Sequence, residues 1–204
     1  MVACCGSAAD SKARRIAAKA MDHTMEGSFE EVLRFWFSEI PSEKWWKKDP
    51  SFDDLVRQKF SGLHSAAAAG ELFSWRSSIR GRLAEIVILD QFSRNIFRGT
   101  AAAYLHDAQA LCLAQEAARI PERHALSADE RAFLYMPFMH SESLFVHEES
   151  VRLFSEPGLE KYLSYERSHR NLIACFGRFP HRNAALGRSS TAEEVQYLAS
   201  HADY

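Results

Sequence analysis

The chain is predicted to fold as an all-α protein. Three observations predict this: apolar residues recur at three-and-four spacing from residue 28 onward, helix-capping signals precede those runs, and no run alternates cleanly enough to be a strand. A length of 204 residues falls near one domain and suffices to bury a real core. Residues 28–204 read as a single helical domain, and residues 1–27 as a flexible tail.

The elements follow in order. Ser28 and Glu31 have the capping-box spacing and open the apolar stretch Val32, Leu33, Phe35, Trp36, Phe37. Pro41 and Pro50 bracket a loop with Trp45 and Trp46, after which Asp49 is an N-cap with Pro50 at the first helical position. Phe52, Leu55, Val56, Phe60 and Leu63 then mark one helix face as far as Gly70. From Leu83 to Ile96 the next helix is apolar on every side over Ile86, Val87, Ile88 and Leu89, the pattern of a buried central element. Gly99–Thr100 ends it, and an alanine-rich helix runs toward Arg119. A second capping box, Ser127 to Glu130, opens a stripe of Phe133, Met136, Leu144, Val151 and Phe154 that Pro137 kinks or divides. Pro157–Gly158 breaks the chain, a helix runs to Gly177, and Thr191 with Glu194 caps a short terminal helix. Roughly eight helices with short connections make antiparallel neighbours.

Composition excludes several classes. The formal net charge of -2 lacks the basic footprint of a nucleic-acid binder. No apolar run approaches the roughly 18 residues that span a bilayer. Cys112 and Cys175 read as buried small hydrophobes, and the cysteine usage fits a reducing, cytoplasmic setting. The start of the chain lacks a secretory apolar core. Its Lys12, Arg14, Arg15 and Lys19 faintly suggest organelle targeting through residues 1–20, against which Asp10 argues; acylation of Cys4 or Cys5 is a further alternative, against which the poor anchoring by one lipid chain argues.

Two segments carry arginine with asparagine. In Leu89–Gly99, Asp90, Arg94 and Arg98 fall at successive i+4 positions on a straight helix, with Gln91 and Asn95 alongside. Two readings stand: an internal Asp90–Arg94 salt bridge, or an arginine clamp for a carboxylate or phosphate. In Phe176–Gly187, Gly177 ends one helix and Pro180 begins a short one with no capping side chain before it. A carboxylate from elsewhere, such as Asp90 or Glu142, or a bound anion would then serve its first N–H groups, beside Arg178, His181 and Arg182. If the two segments form one site, Arg94 and Arg182 lie within a Debye length, roughly 8 Å.

The histidines give weaker signals. His140 and His147 share the apolar side of the Tyr135–Phe154 stretch, and His169 lies in a stripe with Tyr162, Tyr165, Leu172 and Phe176. Without an i, i+4 pair or HExxH, neither a metal nor a cofactor is expected. Ser93, Ser141 and Ser143 sit in no nucleophile elbow, and Cys175, near His169 and His181 in sequence, is the one thiol worth testing. Trp36, Trp45, Trp46 and Trp75 read as core or interface residues.

Four motifs in a fixed order, WWKKDPSFD (Trp45–Asp53), LDQFSRNIFRGT (Leu89–Thr100), YMPFMHSES (Tyr135–Ser143) and FGRFPHRNAALGRSST (Phe176–Thr191), resemble the family catalogued as domain of unknown function 924. The match spans residues 29 to 199. Ser93 stands where the family usually has proline, which puts the straight reading of the Asp90–Arg98 strip in doubt. The resemblance implies a tetratricopeptide-like stack of antiparallel helix pairs and implies no activity.

Two functions follow as expectations. One is a helical binding module that holds a small anionic molecule or acidic peptide with Arg94, Asn95, Arg98, Arg178, His181, Arg182 and Asn183. It requires an arginine-lined hollow without a convergent acid–base pair. The other is a hydrolase or transferase acting on an anionic substrate, with His140 or His181 as acid–base group and Asp90 or Glu142 orienting it. It requires a histidine within hydrogen-bond reach of a carboxylate in the same pocket. A third outcome is that these polar residues pair with one another and specify the packing.

Overall fold

The first helix begins where the sequence placed it: the Ser28 hydroxyl accepts the Glu31 amide at 3.3 Å, one half of the expected capping box. The computed structural model describes residues 28–201. The expected tail, with Cys4, Cys5 and the targeting residues, lies outside the described residues.

Helix α1 (Phe29–Arg34) runs on into a π-helical turn, Phe35–Glu39, whose Phe35 and Trp36 are buried. Asp49 caps α2 (Pro50–Ala68), accepting the Ser51 amide at 3.0 Å and the Phe52 amide at 3.2 Å. Helix α3 (Ile79–Val87) continues through a second π-helical turn, Ile88–Phe92, into α4 (Ser93–Ile96). A 3-10 turn, Ala101–Tyr104, leads to α5 (Asp107–Ala117). Helix α6 (Ala128–Met139) opens on a complete capping box, followed by α7 (Leu144–Phe154) and α8 (Glu160–Phe176). A 3-10 turn, Pro180–Arg182, precedes α9 (Ala192–Ser200), which Thr191 and Glu194 cap reciprocally. With α3 and α4 continuous, the described residues form eight rods and no strand.

The α3–α4 rod is the centre of the packing, touching α1, α2, α5 and α6. Its Leu83, Ala84 and Ile86 to Leu89 are all buried, as the all-round apolar run predicted. Trp36 contacts Phe52, Phe92 and Phe133, so one indole joins α2, the π turn and α6. A smaller apolar cluster, Leu172, Ile173 and Phe179, seats the C-terminal segment on α8.

Close approach also restricts α3. A Cβ added at Gly81 would lie 2.1 Å from the Trp75 carbonyl oxygen, which is backbone and cannot swing aside. Gly81→Ala is therefore expected to destabilise the fold by about 1–3 kcal/mol, as overpacking does. Urea unfolding measures it, and a change within about 0.5 kcal/mol would contradict the contact.

Several sequence expectations need correction. Leu55 and Leu144 project into solvent, at 42% and 41% exposure, so the stripes assigned to them are narrower. The Phe133–Phe154 stretch is divided at His140–Ser143 and not at Pro137, which lies inside α6. His140 and His147 therefore stand on different elements. Cys112 and Cys175 are exposed, not buried: the faces of α5 and α8 that carry them look away from the core. Trp46 is half exposed and stacks on Tyr165 with centroids 6.1 Å apart.

Candidate functional site

Asp90 sits inside the π turn, 1% exposed, where the sequence placed a polar residue within an apolar rod. Its carboxylate faces Nδ1 of His140 at 2.8 Å and 3.0 Å, accepts Gln91 Nε2 at 2.6 Å, and lies 3.1 Å from Arg94 Nη1. Burial alone would raise the pKa of this carboxyl group. The Arg94 charge, the His140 ring and the bonds from His140 and Gln91 outweigh burial and hold it well below the usual carboxylate range. Asp90 is thus ionised and can only accept, so His140 carries its proton on Nδ1. Burial, and then Arg94 and Arg182, lower the His140 pKa against the pull of Asp90, keeping the imidazole neutral. Nε2 of His140 has no hydrogen-bond partner among the described residues, and the side chain is 15% exposed.

Arg94 leans from α4 onto Asp107, the first residue of α5, through a two-pronged contact: Nη1 to Oδ1 at 3.0 Å and Nη2 to Oδ2 at 3.0 Å. Arg182 reaches the same carboxylate from the C-terminal 3-10 turn, Nη1 to Oδ2 at 3.2 Å, and donates Nη2 to the His140 carbonyl at 2.9 Å. Both guanidiniums lie over the Tyr104 ring, at 5.6 Å and 4.7 Å, and Arg182 also lies over Phe179 at 4.5 Å. Burial and then the Arg94 charge push Arg182 down to about 10. His169 and His181 border the cluster, lowered to about 4 and about 3, by burial first in each case. Two arginines thus meet on one aspartate, beside a histidine held by another.

The remaining sequence candidates go elsewhere. The straight Asp90–Arg94–Arg98 strip does not form, because α4 ends at Ile96 and Arg98 lies beyond it. Arg98 and Asn95 instead converge on the buried carboxylate of Asp53 in α2: Asn95 Nδ2 at 2.8 Å, Arg98 Nε at 2.5 Å and Nη2 at 2.7 Å. Arg178 and Asn183 converge on Glu194, with Arg178 Nε at 2.6 Å and Asn183 Nδ2 at 3.1 Å. Of the two sources considered for the amides near Pro180, a carboxylate is present: Glu142 Oε1 accepts the Phe179 N–H at 2.8 Å. Arg188 forks onto the same carboxylate at 2.6 Å and 3.0 Å. Glu142 is thereby engaged away from His140. His147 bonds the Ser141 carbonyl and Glu166 in the interior, and Ser93 is buried between His64 and the Leu89 carbonyl.

Sequence reasoning missed Asp107, Tyr104, Asp53, Glu194 and Glu166 as partners. Asp107, Asp53 and Glu194 left a local signal, each as an acidic residue in the first turn of its helix. Among the described residues no group of three or more histidine, cysteine or acidic side chains is placed to hold a metal ion. No described helix is long and apolar enough to cross a membrane.

Comparison with known proteins places the chain in a family. A protein of unknown function from Agrobacterium tumefaciens has a similar solved structure, with a TM-score of 0.79 and 40% sequence identity, covering 84% of this chain and 97% of that one. No curated protein matches. A family model described as bacterial protein of unknown function (DUF924) matches residues 32–202, and the chain belongs to that family.

Proposed function

We propose that residues 28–204 form one helical unit that acts on a small anionic substrate, as a hydrolase or transferase, with His140 as the acid–base group. One observation carries this reading: ionised Asp90 holds Nδ1–H of His140, leaving a neutral Nε2 at the partly exposed edge of a cluster that also contains Arg94 and Arg182. A neutral imidazole with a free ring nitrogen is ready to take a proton near pH 7. The guanidiniums would bind the substrate's anionic group and stabilise charge that builds up in the reaction. The binding-module reading required arginines without a convergent acid–base pair, so the Asp90–His140 contact favours catalysis. Asn95, Arg98, Arg178 and Asn183, each bound to an internal carboxylate, serve the packing of α2 on α4 and of the C-terminal segment on α9.

The test has two parts. Imidazole nitrogen NMR at pH 7 is expected to show the His140 proton on Nδ1; a ring protonated on Nε2 sinks the proposal. Turnover screened across phosphorylated and carboxylated metabolites should then fall about 10²–10⁴-fold in His140→Asn, while thermal stability changes little. Full turnover in that variant would remove His140 from the chemistry.

A further inference from the structure

The two guanidiniums of the site already hold an anion, and that anion belongs to the protein. Asp107 presents a planar carboxylate to Arg94 in the two-pronged geometry that a ligand carboxylate or phosphate takes, with Arg182 as a third contact. We propose that Asp107 occupies the seat of the substrate's anionic group, a carboxylate or phosphate, and turns out of it when substrate binds. This deepens the catalytic reading and rests on it only for the word substrate.

Four features support the exchange. First, the arginines are held by more than Asp107. Tyr104 lies beneath both, Phe179 faces Arg182, Arg94 donates to the Asp90 carbonyl at 2.8 Å, and Arg182 donates to the His140 carbonyl. The seat would keep its shape when the aspartate leaves. Second, Asp107 can leave without stranding its charge. Its side chain is 20% exposed, and it is the first residue of α5, so a carboxylate turned toward solvent still lies by the positive end of that helix. Third, Arg182 is undersupplied with acceptors. It is 5% exposed, and its Nε–H is buried with no hydrogen-bond partner. A tetrahedral phosphate brings more acceptor oxygens than a carboxylate, so it suits this seat at least as well. Fourth, the seat adjoins the acid–base group, because Arg182 bridges the Asp107 carboxylate and the His140 main chain.

Asp107 would then set both affinity and selectivity. A weak or uncharged molecule would not displace it, whereas an anion that grips both arginines would. An aspartate also repels the anion it competes with until it has moved away.

The experiment compares inorganic phosphate binding by the full chain, by Asp107→Asn, and by Asp107→Asn with Arg94→Lys. Asparagine keeps the size of the side chain and removes its charge. Asp107→Asn is expected to bind phosphate about tenfold or more tightly than the native chain, as removal of a like charge allows. Lysine cannot reproduce the fork, so the gain should vanish in the double variant. Equal or weaker binding by Asp107→Asn overturns the proposal, as does a gain that survives in the double variant. Should Asp107→Asn fold poorly at low salt, thermal unfolding in phosphate against chloride at matched ionic strength gives the same answer. A phosphate-specific rise in Tm supports the seat, and equal rises in the two salts overturn it.

The outcomes separate the two readings. If Asp107→Asn gains phosphate while His140→Asn keeps full turnover, the seat stands and the acid–base role falls. If Asp107→Asn gains nothing while His140→Asn abolishes turnover, the reverse holds.

Discussion

Acidification from pH 7 to pH 4 is expected to strip several kcal/mol from the stability of the fold. His64 is 4% exposed and pushed down to about 4, by burial first and then by the nearby His106. His169 and His181 are lowered to about 4 and about 3. Between 6.5 and those values each ring is protonated in the unfolded chain and neutral in the folded one. Unfolding therefore takes up protons, and stability falls as pH falls through this window. For His64 alone, the gap between 6.5 and about 4 corresponds to about 3 kcal/mol. The two partly exposed rings add smaller amounts, because solvent screens them. That total is a large part of the roughly 5–15 kcal/mol that a domain possesses.

Asp90 acts in the same direction at lower pH. Its folded pKa is depressed, so its contribution is complete above the unfolded value near 4 and is lost as pH falls further. Urea unfolding at pH 7, 5.5 and 4.5 measures the slope. His64→Gln keeps a donor for Ser93 Oγ, and should reduce the slope inside the window by about 1.4 kcal/mol per pH unit. A midpoint unchanged between pH 7 and 4.5 would contradict the burial of neutral histidines.

Glu166→Ala should be the most damaging single substitution among the polar residues. Nδ1 of His147 lies 2.7 Å from Glu166 Oε1, both side chains are 0% exposed, and Nε2 donates to the Ser141 carbonyl at 2.9 Å. Since that carbonyl only accepts, one proton must be shared between Nδ1 and Oε1. Removing Glu166 leaves the imidazole facing a void without its partner. Truncating one member of a buried pair costs about 3–5 kcal/mol. The lower end applies, because Glu166 Oε2 and Ser150 Oγ are buried without partners among the described residues. Such a loss lowers Tm by roughly 10 °C in a domain of this size. Glu166→Gln, which keeps a polar partner for the ring, should cost less. A Tm within about 2 °C of native in Glu166→Ala would mean that the interior pair contributes little.

The parts of this fold legible in the sequence are those with local causes. The boxes Ser127–Glu130 and Thr191–Glu194, and the Asp49–Pro50 start, each need only a few neighbouring residues, and each forms. The all-round apolar run Ile86–Leu89 announced a central rod for the same reason. That Arg94 and Arg182 belong together was readable from their shared chemistry, and both now meet Asp107. Which carboxylate they meet was not readable. Asp107 is 75 residues from Arg182, and Asp53 is 42 residues from Asn95. Pairs at such separation leave no spacing pattern, since tertiary packing alone brings them together. Cys112 and Cys175 show the limit from the other side. A small apolar residue fits either face of a helix, and nothing local told which face turns outward.

The π turn at Ile88–Phe92 also carries a surplus. It holds its circuit with one residue more than an α turn needs. Shortening the segment by one residue would let it relax to regular helix that closes over nearly the same angle, so α4 would keep its facing relative to α3. The same deletion in the flanking α-helical stretch Ile79–Val87, where nothing absorbs it, would rotate the residues beyond it by about 100° and swing Arg94 off Asp107 and Asn95 off Asp53. The rod thus has slack in chain length at one place, the turn that carries Asp90, and strict register on either side of it.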